Sequence, residues 1–317
     1  MSTGQVSTDR VTSLATGRSR RVGDRVFSGA TRTAALTILL AMAGVAVFLA
    51  IEGFPALGAG PAALAGASSF AAYLWPLVYG TVLASIIALL IATPLSIGTA
   101  LVISHYAPRR LSRTLGYVVD LLAAIPSVVY GLWGIGFLGL HLAPVYVWLG
   151  EHASWIPFFA GPGSTTGRTI LTAGIVLAIM VLPIITAIAR EIFAQSPTLT
   201  QEAALALGAT RWEMIRLAVL PSARSGLVSA VMLGLGRALG ETMAVAMVLS
   251  ASGVVTLDLI GNTNPSTIAA NIALKFPEAT GNGVSALIAS GLALFVLTLA
   301  VNAAARAIVA RSERKLG

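Results

Sequence analysis

Six long apolar runs constrain this chain more than any other feature; they lie at about 34–51, 77–104, 115–138, 169–189, 226–250 and 284–305. Each approaches or exceeds the roughly 20 apolar residues that a helix needs to cross a bilayer core. A spanning segment has to satisfy its backbone N–H and C=O groups internally, and a helix does so. With 56% hydrophobic and 10% charged residues, the composition is far from that of soluble proteins. The expectation is an all-α integral membrane protein with six transmembrane helices. Pro94 marks a candidate kink in the second of them.

The basic residues orient the chain. Residues 1–32 are polar and carry Arg10, Arg18, Arg20, Arg21, Arg25 and Arg32. With no apolar core near the start, this stretch does not read as a cleaved signal. It reads as a disordered basic arm with affinity for anionic membrane lipid. Arg109, Arg110 and Arg113 follow the second run, and Arg190, Arg211, Arg216 and Arg224 follow the fourth. Arg306, Arg311, Arg314 and Lys315 close the chain, while the opposite links hold only Arg168 and Lys275. The positive-inside rule then places both termini in the cytoplasm, which six spans satisfy, in a multi-pass inner-membrane protein. The net charge of +8 is accounted for by the membrane and does not call for nucleic acid. The resulting plan is an arm (1–32), a first helix with its outward link (33–70), a main domain (71–310) with a cytoplasmic loop at 190–225, and a tail (311–317). On the outward side, Trp148, Trp155, Phe158 and Phe159 suit an interfacial belt or a floor for an external binding protein. The 252–282 link, with Asn262, Asn264, Pro265 and Pro277, reads as an ordered loop without an assigned role.

Catalytic chemistry finds little support. Cysteine is absent, so there is no thiol nucleophile, disulfide or Cys-bound metal. Neither Lys275 nor Lys315 sits in a P-loop context, so the chain is not expected to hydrolyse ATP. His105, His141 and His152 read as lying on different links, without metal-ligand spacing, and Glu151 beside His152 reads as solvated. Asp120, inside the third run, is expected to reach the interface or to pair with an Arg. No metal, bound cofactor or enzyme active site is expected.

The longest patterned polar interruption is EAALALGATRWEMIRLAVLP, residues 202–221. Thr198 with Gln201 and Thr210 with Glu213 have capping-box spacing, which predicts one helix at 199–207 and a second one that Pro221 ends. Gly208 between them can take positive φ. Such a hairpin is either a connecting loop resting on the membrane or a docking element. The stretch resembles the signature of permease subunits of ABC importers, on Glu202, Ala203, Ala204, Gly208, Leu220 and Pro221. Ala218 departs from it, standing where the signature has Ile. The resemblance implies that this loop docks on a cytoplasmic ATPase.

Arg237 lies eleven residues into the fifth run, roughly 16 Å along a helix and near the middle of the bilayer. A charge there costs on the order of 3 kcal/mol and calls for a partner or a watery lining. Glu241, four residues on, is expected on the same helix face within reach of the guanidinium. Gly234, Gly236 and Gly240 leave room for a second helix beside it. The pair is either a structural ion pair or a group lining the path of an anion, which a guanidinium fork suits.

Three further stretches narrow the resemblance: Ala123–Gly134 (AAIPSVVYGLWG), Ala173–Pro183 (AGIVLAIMVLP) and Gly236–Val245 (GRALGETMAV), with the GPGSTTG link at 161–167. They are similar to PstC-type permeases of phosphate-specific ABC importers. This implies a MetI-like type-1 permease fold and translocation of inorganic phosphate, with Arg237 and Glu241 on the path. It also implies a second homologous permease, a cytoplasmic ATPase dimer holding ATP and Mg, and an external phosphate-binding protein. Other readings are a permease for sulfate or molybdate, a passive anion channel and a phosphate-sensing scaffold. The docking hairpin argues against the last two.

Overall fold

The computed structural model describes residues 20–313, which are helical almost throughout. It divides into two units, Met1–Phe48 and Leu49–Gly317. The described part of the first is helix from Arg20 onward, the beginning of α1 (Arg20–Gly53). Residues 20–32 were expected in a disordered arm and are helical instead, because extending a formed helix fixes only one more residue per hydrogen bond. Residues 1–19 of that arm, and 314–317 of the tail, lie outside the described residues.

In the second unit, α2 (Phe70–Leu101) opens on Ser69, whose side chain accepts from Ala72 N–H, and continues through a π turn to Tyr106. It runs through both Pro76 and Pro94 without ending. α3 (Arg109–Ala123) is amphipathic; it buries Gly116 and Val119 and exposes Arg109, Arg110 and Arg113. α4 (Ser127–Trp133), a π turn and α5 (Leu140–His152) then form one 26-residue apolar helix. The third span therefore covers Ser127–His152 and not 115–138. Pro126 sets the break: it lacks an N–H and disfavours helical backbone at Ile125. His141 and His152 fall on this one helix, a further correction, and each ring bonds a backbone carbonyl one turn back. Among the described residues no cluster could hold a metal.

α6 (Ile170–Ala194) is the most buried of the spans. Its neighbours approach closely because small residues face it: a side chain at Gly174 would meet Ile87, and one at Gly234 would meet Val181 and Ile185. Ser96 Oγ donates to Leu182 carbonyl at 3.0 Å, tying α2 to α6. After α7 (Thr198–Ala206) comes a helix of 29 residues, made of α8 (Arg211–Met214), a π turn and α9 (Leu220–Leu239). Pro221 does not end it. The ring falls in the first turn of α9, where its missing N–H is tolerated beside the π turn. A short α10 (Met243–Val248) and α11 (Ile268–Lys275) precede α12 (Asn282–Glu313). One core cluster joins α2, α6, α9 and α10. A second gathers Leu101, Phe193, Ile215 and Val219 at the hairpin end, and a third gathers Leu64, Tyr73, Leu77 and Ile268 at the other end of α2.

Candidate functional site: a broken helix and a hairpin

The fifth apolar run is not one helix. α9 stops at Leu239, and backbone 240–242 is irregular before α10 begins. Gly240 is a weak helix former, and Thr242 Oγ1 turns back to Gly240 carbonyl at 3.2 Å, competing with helical bonding. The expected i,i+4 pairing of Arg237 with Glu241 is therefore not formed. Glu241 is 8% exposed, and its Oε1 accepts from Ala244 N–H at 3.1 Å, at the start of α10. Arg237 is exposed in the last turn of α9, near the Tyr130 hydroxyl. Each charge sits at the helix end that suits its sign. Among the described residues the one ion pair is Arg190 with Asp120, at 3.3 Å, so Arg237 has no carboxylate there. Asp120 thus lies on α3, outside a span, and pairs as expected.

Close packing fixes the break in place. A side chain at Gly131 would touch Ala244, so α10 lies directly on α4. Arg168 Nη2 donates to Met247 carbonyl at 3.2 Å and holds the far end of α10. Asn264 is fully buried; its Oδ1 accepts from Ile170 N–H, and its Nδ2 donates toward the carbonyls of Arg168, Ser250 and Gly261. Sequence reasoning assigned neither residue a role. The contacts of Arg168 with Met247, and of Asn264 with Arg168 and Ile170, span some 79 to 96 positions of chain, and no local pattern signals them.

The hairpin forms, with one of its two capping boxes missing. The second capping box is complete: Thr210 N–H donates to Glu213 Oε2 at 2.7 Å, and Glu213 N–H donates to Thr210 Oγ1 at 3.3 Å. The first is absent, because α7 begins at Thr198 itself, behind Pro197, and the Gln201 amide reaches Ser196 carbonyl. Gly208 has φ +87°, with Ala209 N–H on Ala204 carbonyl and Gly208 N–H on Leu205 carbonyl, the two bonds of a Schellman motif. An open groove of about 780 Å³ runs between the arms, and Ala203, Ala204, Gly208, Ala218 and Pro221 line it. Glu202 is exposed outside the groove, and Leu220 packs inward toward Ile215 and Val219. At the tip Leu207 is 90% exposed.

A chain of six apolar helices with such a hairpin matches, over residues 92–315, the family described as binding-protein-dependent transport system inner membrane component, and the protein belongs to that family. It is 47% identical over 305 residues to the "Phosphate transport system permease protein PstC 2" of Mycobacterium tuberculosis, covering 92% of this chain and 93% of that one. It is 44% identical over 299 residues to the PstC permease of Mycobacterium leprae, with 90% and 92% covered. Among solved structures it resembles a chain of the inward-facing MetNI methionine ABC transporter, with a TM-score of 0.51 at 19% identity, covering 75% of this chain and 93% of that one. The fold is therefore the MetI-like permease fold of a multi-pass membrane protein.

Proposed function

We propose that this chain is the permease subunit of an ATP-driven importer and carries inorganic phosphate into the cytoplasm. The observation that carries the reading is the Arg237 guanidinium, exposed at a break in a membrane-spanning helix, in a chain whose relatives named above are phosphate transport permeases. Irregular backbone and a bare charge at membrane depth are tolerated where they line a watery cavity or a protein interface. A second homologous permease covering that side of α9 would complete such a lining. The guanidinium offers a planar set of donors to a tetrahedral oxyanion. Glu241 sets the start of α10 and lowers the local positive potential, so the anion is attracted without being trapped.

The hairpin is the docking element for a cytoplasmic ATPase dimer, which binds ATP and Mg in place of this chain. Its apolar tip supports this: covering a side chain such as Leu207 contributes about 1.5–3 kcal/mol. The orientation follows from the basic loops, with both termini and the hairpin in the cytoplasm and the 161–168 and 252–282 links outside, where a phosphate-binding protein would deliver its cargo. The test is ATP-dependent uptake of labelled phosphate by the reconstituted complex, compared with R237Q and with challenge by sulfate. R237Q is expected to abolish uptake while the complex still assembles. Uptake by R237Q at the wild-type rate would remove Arg237 from the path, and sulfate outcompeting phosphate would reassign the cargo.

A further inference from the structure

At the end of α2 remote from the hairpin, a cavity of about 290 Å³ lies between the first two turns of α2 and one face of α11. Tyr73, Ser252, Ser266, Asn271 and Lys275 supply its polar lining, and no acidic residue lines it. Asn271 and Lys275 are four residues apart on α11 and share a face directed at Tyr73. Asn271 Nδ2 donates to Tyr73 Oη at 2.7 Å, which occupies an acceptor site of the phenol and leaves its O–H proton free to donate elsewhere. Lys275 Nζ stands 5.6 Å from the centre of the Tyr73 ring, and among the described residues no carboxylate lies within 4.0 Å of it. Tyr73 and Lys275 also border the adjoining cavity of about 380 Å³, and Glu278 lines that cavity and not this one. The ring of Tyr73 and the amide of Asn271 are both buried, so the phenol is held in place before any ligand arrives, while Lys275 is exposed and can swing onto it. At about 30 Å³ per water, the space holds a small oxyanion with a few waters.

We propose that this cavity is a second oxyanion site, distinct from Arg237, in which the Lys275 ammonium and the Tyr73 hydroxyl hold a phosphate group. Its use as a way station for imported phosphate rests on the function proposed above; its capacity to bind an oxyanion does not. A soluble phosphate ion and a phospholipid headgroup share this chemistry. The chain has no cysteine, so S252C places a single thiol on the cavity wall. Its alkylation by a neutral maleimide is followed in the intact importer in phosphatidylcholine vesicles, with inorganic phosphate or with chloride at equal ionic strength. A parallel set contains phosphatidylglycerol.

Phosphate is expected to slow alkylation saturably; K275M should abolish the protection and K275R should retain it. With serine at 252, K275M is expected to raise the KM for phosphate uptake about tenfold at unchanged maximal rate, the weight of one charge-assisted hydrogen bond. Protection by phosphatidylglycerol alone would assign the site to lipid and would overturn the way station. No protection by either phosphate or lipid, in a complex that imports phosphate, would overturn the site while leaving the proposed function intact. A complex that shows protection but imports no phosphate would do the reverse.

Discussion

Gly208 is the residue at which the docking role proposed for the hairpin is most open to a clean test. Its φ of +87° lies in the left-handed region, where a residue with a Cβ loses roughly 1–2 kcal/mol and a β-branched one more. A Cβ built there meets nothing within 4 Å, so the cost is backbone strain alone, with no clash added. One to two kcal/mol changes the population of the native turn by a factor of about 5 to 30. The turn sets the angle between α7 and the helix that begins at Arg211, and hence the shape of the groove proposed above to receive an ATPase. G208A is expected to weaken association of the ATPase with the detergent-solubilised permease about fivefold, and G208V by more. G208N is expected to stay near wild type, because Asn tolerates the left-handed region. Uptake should fall in the same order while the membrane level of the subunit is unchanged, since Gly208 supports no packing. Wild-type ATPase affinity for G208V would refute the reasoning.

The broken helix predicts that R237Q and the double variant R237Q/E241Q both lose phosphate uptake, because the two charges do not neutralise each other; rescue by the double variant would restore the ion-pair reading. E241A is expected to cost about 1 kcal/mol of stability by uncapping α10, read as a lower thermal midpoint in detergent. D120N breaks a largely exposed pair and is expected to change stability by less than about 1 kcal/mol. G116V, whose side chain would overlap the Arg190 guanidinium, is expected to push that flexible side chain off Asp120 at a similarly small cost, with the yield of folded protein near wild type. Single cysteines in this cysteine-free chain test the orientation: T165C is expected to react with an impermeant maleimide from outside the cell, and S112C only after permeabilisation. The reverse pattern would invert the topology.

Much of the fold was legible because lipid makes helix the form for long apolar runs, and six such runs stand out in this sequence. The second capping box and the positive φ of Gly208 are legible for a different reason: each depends on residues within a few positions. The errors fall where backbone chemistry interrupts an apolar run. Pro126 divides 115–138, so this apolar run merges an amphipathic helix carrying Asp120 with the true span. Gly240 and Thr242 divide 226–250, so Arg237 lies in the last turn of one helix and Glu241, four residues on, in the break before the next. Pro221 misled in the other direction, since a proline in the first turn of a helix is tolerated. Of the hairpin residues named from sequence, Ala203, Ala204, Gly208 and Pro221 share the groove and Leu220 faces the core. Arg168, Asn264 and the Tyr73–Asn271–Lys275 cluster were not readable, because their contacts join links up to nearly 200 residues apart.

Initial rates of labelled phosphate uptake by proteoliposomes containing the complete importer, with and without this subunit, bear most directly on the central claim. The account predicts uptake that requires ATP enclosed in the vesicles, on the hairpin side, is lost without the subunit or with R237Q, and is not displaced by excess sulfate. Uptake that proceeds without ATP, or that R237Q leaves intact, would contradict it.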